Sequence, residues 1–121
     1  MNIAFCSTGC DLNSSVDERF GRTTNFLIYK TETGETTCIE NRARTAKGGA
    51  GALAVQQLVD NNVSVIIAPE VGPQAMDALK KFNITAYNQQ GASTVKEALD
   101  LWKEEKLSLI EEPGNKGLHK A

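Results

Sequence analysis

A glycine-rich loop stands directly before an apolar, helix-periodic segment of this chain. Residues 48–52 read GGAGA and lead into a run whose apolar positions recur at helical spacing. The first N–H groups of an α-helix have no partner within the helix and carry partial positive charge, so a loop without side chains exposes them to an anion. The sequence therefore predicts an anion site that involves Gly48, Gly49 and Gly51.

Two further glycine-containing loops precede predicted helices. Gly72 and Pro73 open the second helix, with proline at a first-turn position, and residues 91–94 (GAST) open the third. If the intervening strands are parallel, all three helix starts lie at one edge of a sheet, where α/β proteins usually bind ligands. We expect the first two starts to face a common concavity. Gly49→Val should then weaken anion uptake while folding stays nearly intact, provided that the backbone at Gly49 tolerates a side chain.

Basic residues flank the first of these loops. Residues 41–51 contain Arg42, Arg44 and Lys47 and no acid, and Arg22 lies in an earlier polar segment. Taken singly, each of them is typical of a solvated loop. Together, just before a predicted anion site, they indicate a mobile cationic lid.

The earlier polar segment, residues 7–24, is a long loop for so small a domain. Loops of this length without structure of their own are often functional. Within it, Asp17 is expected to pair with Arg19 or Arg22 and so to brace the loop, while Phe20 anchors the loop to the core. For Asp17, Phe20 and the neighbouring glycine of VDERFGR, these structural roles are favoured over ligand contact.

Three cysteines cannot all pair, which argues against a secreted disulfide framework and predicts that Cys6, Cys10 and Cys38 are reduced thiols. Cys6 and Cys10 follow the first predicted strand, near the anion site, and thiolates are the usual ligands of iron–sulfur clusters. Two thiols fall short of the four ligands that such a cluster normally takes. The alternative is that positive charge and backbone N–H groups bind the cluster non-covalently. We expect a mixed case, although a buried structural Cys6 and a redox pair stay open.

The periodicity around these loops predicts an α/β fold. FLIY (residues 26–29) and TTCI (36–39) flank a glycine turn and predict an antiparallel hairpin. VSVIIA (63–68) and the short run 84–87 are buried strands that alternate with helices, which predicts parallel β-α-β units. With a first strand at residues 2–6, the order is βββαβαβα: a mixed five-stranded sheet with helices on both faces, as in a three-layer ribonuclease H-like motif.

That motif raises the question of nuclease chemistry. A nuclease of this type needs a carboxylate on the first strand, with others nearby, to hold two divalent cations. The first strand, NIAFC, offers a thiol and no carboxylate, while Asp60 and Asp77 fall on predicted helices. Phosphodiester cleavage is therefore disfavoured.

Size and composition predict one globular domain. The chain has 121 residues, of which 40% are hydrophobic and 23% charged. We expect a single domain over residues 1–107 and a polar, flexible tail over 108–121 that contains the sole histidine, His119. A net charge of −2 disfavours nucleic acid as the partner. No apolar run could span a bilayer and the start does not resemble a signal peptide, so a cytoplasmic location is expected.

Several ordered segments resemble a known family. DLNSSVDERFGRTTNFLIYKTETGE, GGAGALAVQQLVDNNVSVIIAPEVGPQAMDALKKFNITAYN and GASTVKEAL are similar to the dinitrogenase iron-molybdenum cofactor biosynthesis family. That family includes nitrogenase cofactor carriers and an accessory domain of the radical enzyme that builds the cofactor precursor. The resemblance implies a ribonuclease H-like carrier without catalysis that binds an anionic iron–sulfur or molybdenum–sulfur cluster. It also implies cluster donor and acceptor proteins as partners in metallocluster assembly.

Two other functional classes stay open. Gly49, Gly51 and Ala54 satisfy the Gly-x-Gly-x-x-Gly/Ala spacing, and Glu70 ends the following strand about 20 residues on, as in a nucleotide-dependent enzyme. The signal is weak because residues 41–48 separate the glycines from the preceding strand. The remaining class is a protein–protein interaction domain that contacts its partner through helical faces or an open sheet edge.

Overall fold

The computed structural model describes residues 1–113. The five strands are β1 (Asn2–Ser7), β2 (Asn25–Lys30), β3 (Thr36–Glu40), β4 (Val63–Ala68) and β5 (Thr85–Asn88). The helices are α1 (Ala50–Asp60), α2 (Pro73–Lys81) and α3 (Val95–Lys103), and a 3-10 turn, Arg42–Thr45, precedes α1. The predicted α/β fold with a mixed five-stranded sheet is confirmed. Within the described residues, no helix is long and apolar enough to cross a membrane, and His119 lies outside them.

The sheet order is β3-β2-β1-β4-β5. β2 pairs antiparallel with both β1 and β3, while β1, β4 and β5 pair in parallel. Gly34 turns the β2–β3 hairpin with a φ of 78°, a conformation that glycine adopts without cost. Because β1, β3, β4 and β5 run in one direction, the loops into all three helices leave from the same edge of the sheet.

Each face of the sheet carries its own core. Side chains alternate along a strand, so Ala4 and Cys6 of β1 face one side and Ile3 and Phe5 the other. The first face packs under α1 and α2, through Ala54, Val55, Leu58, Ala75, Met76 and Leu79. The second packs under α3, through Val95, Ala98 and Leu99. The helices therefore lie on both faces, as predicted.

The first residues of the predicted tail pair with the edge strand β5. The backbone N–H of Asn88 donates to the carbonyl of Ser108 over 2.8 Å, and the N–H of Ile110 donates to Ala86 over 2.8 Å. Leu109 thereby forms an antiparallel bridge with Tyr87. Unpaired backbone groups of an edge strand need partners, and this short segment supplies them.

The cysteines differ from the prediction. Cys10 and Cys38 form a disulfide with a Cα–Cα distance of 5.3 Å, which joins the loop after β1 to the edge strand β3. The prediction of reduced thiols is therefore wrong for these two residues. It missed the pairing because the β2–β3 hairpin brings the strand beside the loop, across 28 residues of sequence. Cys6 is a free thiol, fully buried in β1.

Candidate anion site at two helix starts

The start of α1 exposes backbone and no capping side chain. Gly49 is the N-cap residue, in the left-handed conformation with a φ of 68° and a ψ of 22°, and no side chain accepts a hydrogen bond from the first turn. In Gly49→Val, the backbone of residue 49 would have to keep this left-handed conformation while bearing a side chain, which costs about 1–2 kcal/mol. The condition attached to the Gly49→Val test is therefore not met.

The start of α2 is also free of a side-chain cap. Gly72 is its N-cap residue in an extended conformation, with a φ of −72° and a ψ of 171°, and Pro73 occupies the first turn. Proline has no N–H to satisfy, and its fixed φ suits the first helical position. The N–H groups of Gln74 and Ala75 are thus the first that α2 can present to a ligand.

The third helix start is different because its donors are already used. Thr94 Oγ1 accepts from the N–H of Glu97 over 3.1 Å, the first hydrogen bond of a capping box. The N–H groups of Val95 and Lys96 donate to the carbonyls of Ser14 and Leu12. Of the three predicted helix starts, the first two therefore remain for an anion.

The starts of α1 and α2 line one cleft of about 630 Å³. Its lining residues are Arg19, Phe20, Gly21, Arg22, Ala50, Gly51, Glu70, Gly72, Pro73, Gln74 and Ala75. The predicted common concavity is confirmed. Of the predicted site residues, the structure brings Gly51, Gly72 and Arg22 together there.

Small residues allow the elements around the cleft to approach closely. A Cβ atom on Gly51 would lie 2.9 Å from the Cβ of Ala75, closer than side chains allow, so glycine is required where α1 meets α2. A Cβ on Gly21 would lie 3.1 Å from the backbone nitrogen of Gly51, so the long loop after β1 also packs directly on the start of α1. The long loop after β1, the start of α1 and the start of α2 therefore pack closely together beside the cleft.

A buried carboxylate holds that loop in place. Asp17 is 4% exposed, and its carboxylate accepts from the Arg19 guanidinium at 3.1 and 3.2 Å and from the Thr24 N–H at 3.0 Å. Phe20 is buried and packs on Phe26, with ring centroids 5.9 Å apart. The predicted brace between Asp17 and Arg19 and the predicted anchor at Phe20 are confirmed.

The Asp17 brace should make stability depend on pH. Burial raises the pKa of Asp17, but hydrogen bonds from the Arg19 side chain and from the Thr24 and Arg19 N–H groups outweigh it, so the pKa is lowered overall. We expect wild type to exceed Asp17→Asn in free energy of unfolding by about 1–3 kcal/mol at neutral pH. This difference in free energy of unfolding should persist at pH values above the pKa of Asp17 in the unfolded state, about 4. It should shrink as the pH falls towards the lower pKa of Asp17 in the folded state. Urea denaturation at a series of pH values measures it, and a pH-independent difference would count against the brace.

The predicted cationic lid forms a hydrogen-bonded 3-10 turn. The buried Asn41 side chain donates to the carbonyls of Gly21 and Thr23, both at 3.0 Å, and its Oδ1 accepts from the N–H of Ala43. Gln57 of α1 donates to the same oxygen over 2.7 Å. The asparagine side chain thus ties the 3-10 turn to the long loop and to α1, which the run of basic residues in the sequence did not reveal.

The predicted basic residues fall into two groups. Arg22 lines the cleft, and its Nη1 donates to the carbonyl of Arg44 over 2.8 Å, so its guanidinium is held against the 3-10 turn. Arg44 pairs with Glu40 at 2.9 Å. Arg42 and Lys47 are exposed, and like Arg44, Gly48 and Gly49 they are not among the residues that line the cleft.

The two predicted thiolate ligands are not placed as a pair. Burial, and secondarily the nearby Asp17 carboxylate, raise the pKa of the Cys6 thiol well above its ordinary value. Cys10 is bonded to Cys38 and offers no thiolate in this state. Across residues 1–113, no three His, Cys, Asp or Glu side chains converge as a metal site. Cys6 and Cys10 as joint metal ligands therefore do not fit this structure.

Sequence reasoning missed part of the cleft. Three residues that the sequence did not predict at the anion site line the cleft: Glu70, Gln74 and Ala75. The sequence suggested a role for Glu70 only as the ribose-binding acid of a dinucleotide fingerprint. That fingerprint needs its glycines directly after a strand, whereas the 3-10 turn separates β3 from Gly49. The signal that could have found these residues is their place in the first turn of α2 or just before it.

Comparisons with known proteins agree with this arrangement. An uncharacterised protein of Methanocaldococcus jannaschii is 30% identical over 102 residues, covering 82% of this chain and 86% of its own. The apo form of the orange protein from Desulfovibrio gigas superposes with a TM-score of 0.89 at 28% identity, covering 93% of this chain and 95% of that one. A putative NifB protein from Thermotoga gives a TM-score of 0.78 at 36% identity, covering 91% and 93%.

The family comparison covers nearly all of the described residues. The family described as "Dinitrogenase iron-molybdenum cofactor" matches residues 1–105, which include the whole cleft. The resemblance drawn from the sequence motifs is thereby confirmed. This chain belongs to the dinitrogenase iron-molybdenum cofactor family.

Proposed function

We propose that this protein binds an anionic metal–sulfide cluster in the cleft between α1 and α2 and carries it during metallocluster assembly, without catalysis of its own. The observation that carries the proposal is the convergence of two uncapped helix starts and Arg22 on one cleft. Membership of an iron-molybdenum cofactor family supports a metallocluster as the cargo. The partners would be the proteins that deliver and receive it.

The electrostatics of the cleft favour a polyanion. Each helix start carries about half a positive charge on its free N–H groups, and two of them face the same space. Arg22 adds a full positive charge, while the charge of Arg19 is largely matched by its bond to Asp17. Glu70 also lines the cleft and adds one negative charge, so the two helix starts and Arg22 together leave a net positive charge of about one. A cluster with sulfide at its surface offers many weak acceptors and a spread negative charge, which suits the N–H groups of two helix starts together with the Arg22 guanidinium.

A grip by charge and N–H groups also suits a carrier. Thiolate coordination would have to be broken at each transfer, whereas a cluster held by hydrogen bonds and charge leaves without ligand exchange. The burial of Cys6 and the Cys10–Cys38 disulfide favour this non-covalent grip over the mixed case expected from the sequence. Affinity should then fall as ionic strength rises, since exposed charges are screened over about 8 Å at physiological salt.

The architecture is consistent with such a role. We infer a ribonuclease H-like arrangement from the sheet order β3-β2-β1-β4-β5 with β2 antiparallel. β1 carries no carboxylate, so the paired metal ions of a nuclease would lack their ligand on that strand. The edge of the sheet that holds catalytic metals in a nuclease would here present the cluster cleft.

Arg22 provides the most specific test of the proposal. Arg22→Gln should weaken binding of tetrathiomolybdate, a dianionic metal–sulfide probe, by about tenfold, because a charge-assisted hydrogen bond in the cleft is lost. Arg42→Gln removes the same charge from the neighbouring turn, outside the cleft, and should change affinity by less than about twofold. Anaerobic titration followed by visible absorption measures both. Equal losses of affinity in the two variants would indicate that the general positive charge of this surface attracts the anion, and would contradict binding in the cleft.

A further inference from the structure

An acidic residue lines the cluster cleft, the space beside the starts of α1 and α2 that we propose for a metal–sulfide anion. Glu70 lies in the short connection between β4 and α2, two residues before Gly72, the N-cap residue of α2. Its side chain is exposed, and it lines the cleft together with Arg22 and the two helix starts. A carboxylate at this place opposes the binding of any anion, so its presence there needs an explanation.

The Glu70 carboxylate is not neutralised by a neighbouring cation. Within the described part of the chain, it has no hydrogen bond and no ion pair. The arginines that line the cleft have other partners. Arg19 is bound to the Asp17 carboxylate, and the Arg22 guanidinium donates to a carbonyl of the 3-10 turn. The negative charge of Glu70 therefore acts on whatever occupies the cleft.

The start of α2 explains why a carboxylate is tolerated at this place. This helix start carries about half a positive charge and no side-chain cap, and an acid just before it offsets part of that charge. An anion bound to the same N–H groups would lie beside the carboxylate, where like charges repel. Glu70 thus stabilises the empty cleft relative to the occupied one.

We propose that Glu70 is a specificity-determining residue of the cluster cleft, which lowers the affinity for an anion by a factor that grows with the charge of the anion. This inference rests on the proposed function, since it concerns the same cleft. Each unit of ligand charge meets the same repulsion from Glu70, so a dianion loses twice the binding free energy that a monoanion of the same shape loses. Glu70 thereby selects against clusters of high charge and keeps binding weak enough for transfer.

A pair of tetrahedral metal–sulfide anions of the same shape tests this dependence on charge. Tetrathiomolybdate is a dianion, and tetrathioperrhenate is a monoanion. At constant ionic strength, Glu70→Gln should bind the dianion about tenfold more tightly than wild type and the monoanion about threefold more tightly. Anaerobic titration followed by visible absorption measures both affinities. The melting temperature of the variant should stay within about 2 °C of wild type, because the side chain is exposed.

Glu18→Gln is the matched control, because it removes the same charge from the neighbouring loop. Glu18 is exposed and, like Glu70, has no hydrogen bond or ion pair from its carboxylate among the residues described. It lines an adjacent cavity of about 810 Å³ and not the cluster cleft. The affinity of Glu18→Gln for tetrathiomolybdate should therefore stay within about threefold of wild type.

The outcomes separate this inference from the proposed function. If Arg22→Gln weakens binding while Glu70→Gln leaves it unchanged, the cleft binds the anion but Glu70 does not determine its specificity. Equal gains in Glu70→Gln and Glu18→Gln, or equal gains for the dianion and the monoanion, would also overturn the inference alone. Absence of binding to wild type and to Glu70→Gln alike would overturn both proposals.

Discussion

Gly72→Val should lower the affinity for tetrathiomolybdate by at least about tenfold, or ~1.4 kcal/mol, with little change in thermal stability. Gly72 lines the cluster cleft in an extended conformation that valine adopts readily. A Cβ atom at this position would meet no other atom within 4 Å, so the new side chain occupies open space beside the start of α2. Anaerobic titration gives the affinity, and the melting temperature should stay within about 2 °C of wild type.

Gly48→Val is the matched control for this change. A Cβ atom at Gly48 also meets no atom within 4 Å, and Gly48 does not line the cleft. Its affinity should therefore match wild type, although the sequence placed this glycine at the site. Loss of binding in Gly48→Val but not in Gly72→Val would move the ligand from the cleft to the loop before α1.

Reduction of the Cys10–Cys38 disulfide should lower the free energy of unfolding by up to about 3–4 kcal/mol. The bond closes a loop across a separation of 28 residues and so restricts the unfolded chain. Urea denaturation with and without dithiothreitol measures the difference. The Cys10→Ser/Cys38→Ser variant should show the lower stability in both conditions, and no effect of dithiothreitol on the wild-type midpoint would contradict the bond.

The same variant distinguishes non-covalent binding of a cluster from coordination by cysteine sulfur. If N–H groups and charge hold the anion, Cys10→Ser/Cys38→Ser should bind tetrathiomolybdate within about threefold of wild type, provided that it is titrated under conditions where it is folded. A complete loss of binding by the folded variant would instead indicate sulfur ligands in the reduced protein.

Local signals predicted most of the elements. The period-2 and helical patterns located the hairpin, the buried strand β4 and the helix α1, and the glycine-containing segment 91–94 located the start of α3. Parallel strand placement then put the starts of α1 and α2 on one cleft. These predictions succeeded because they depend on neighbours in sequence and on the one-way direction of parallel strands.

Contacts between distant segments were beyond such reasoning. Nothing in the spacing of the cysteines shows that a hairpin strand lies beside Cys10, and nothing near Asn41 shows that its side chain holds three segments together. Likewise, the sequence grouped the start of α3 with the other two helix starts. This grouping was wrong because the N–H groups at the start of α3 donate to carbonyls of a loop about 80 residues earlier in the sequence. The sequence also could not show which of the predicted basic residues reaches the cleft. Arg22 does so, with its guanidinium bound to the carbonyl of Arg44, 22 residues later in the sequence.

The central claim is that backbone N–H groups at two helix starts hold the cluster. Its most direct test is an anaerobic ¹⁵N–¹H correlation spectrum of the full chain during titration with tetrathiomolybdate. The account predicts the largest shifts at Ala50, Gly51, Gln74 and Ala75, which line the cleft, with Arg22→Gln reducing them at equal ligand concentration. Shifts centred on Cys10 and Cys38, or on the loop at residues 91–94, with the two helix starts unmoved, would contradict it.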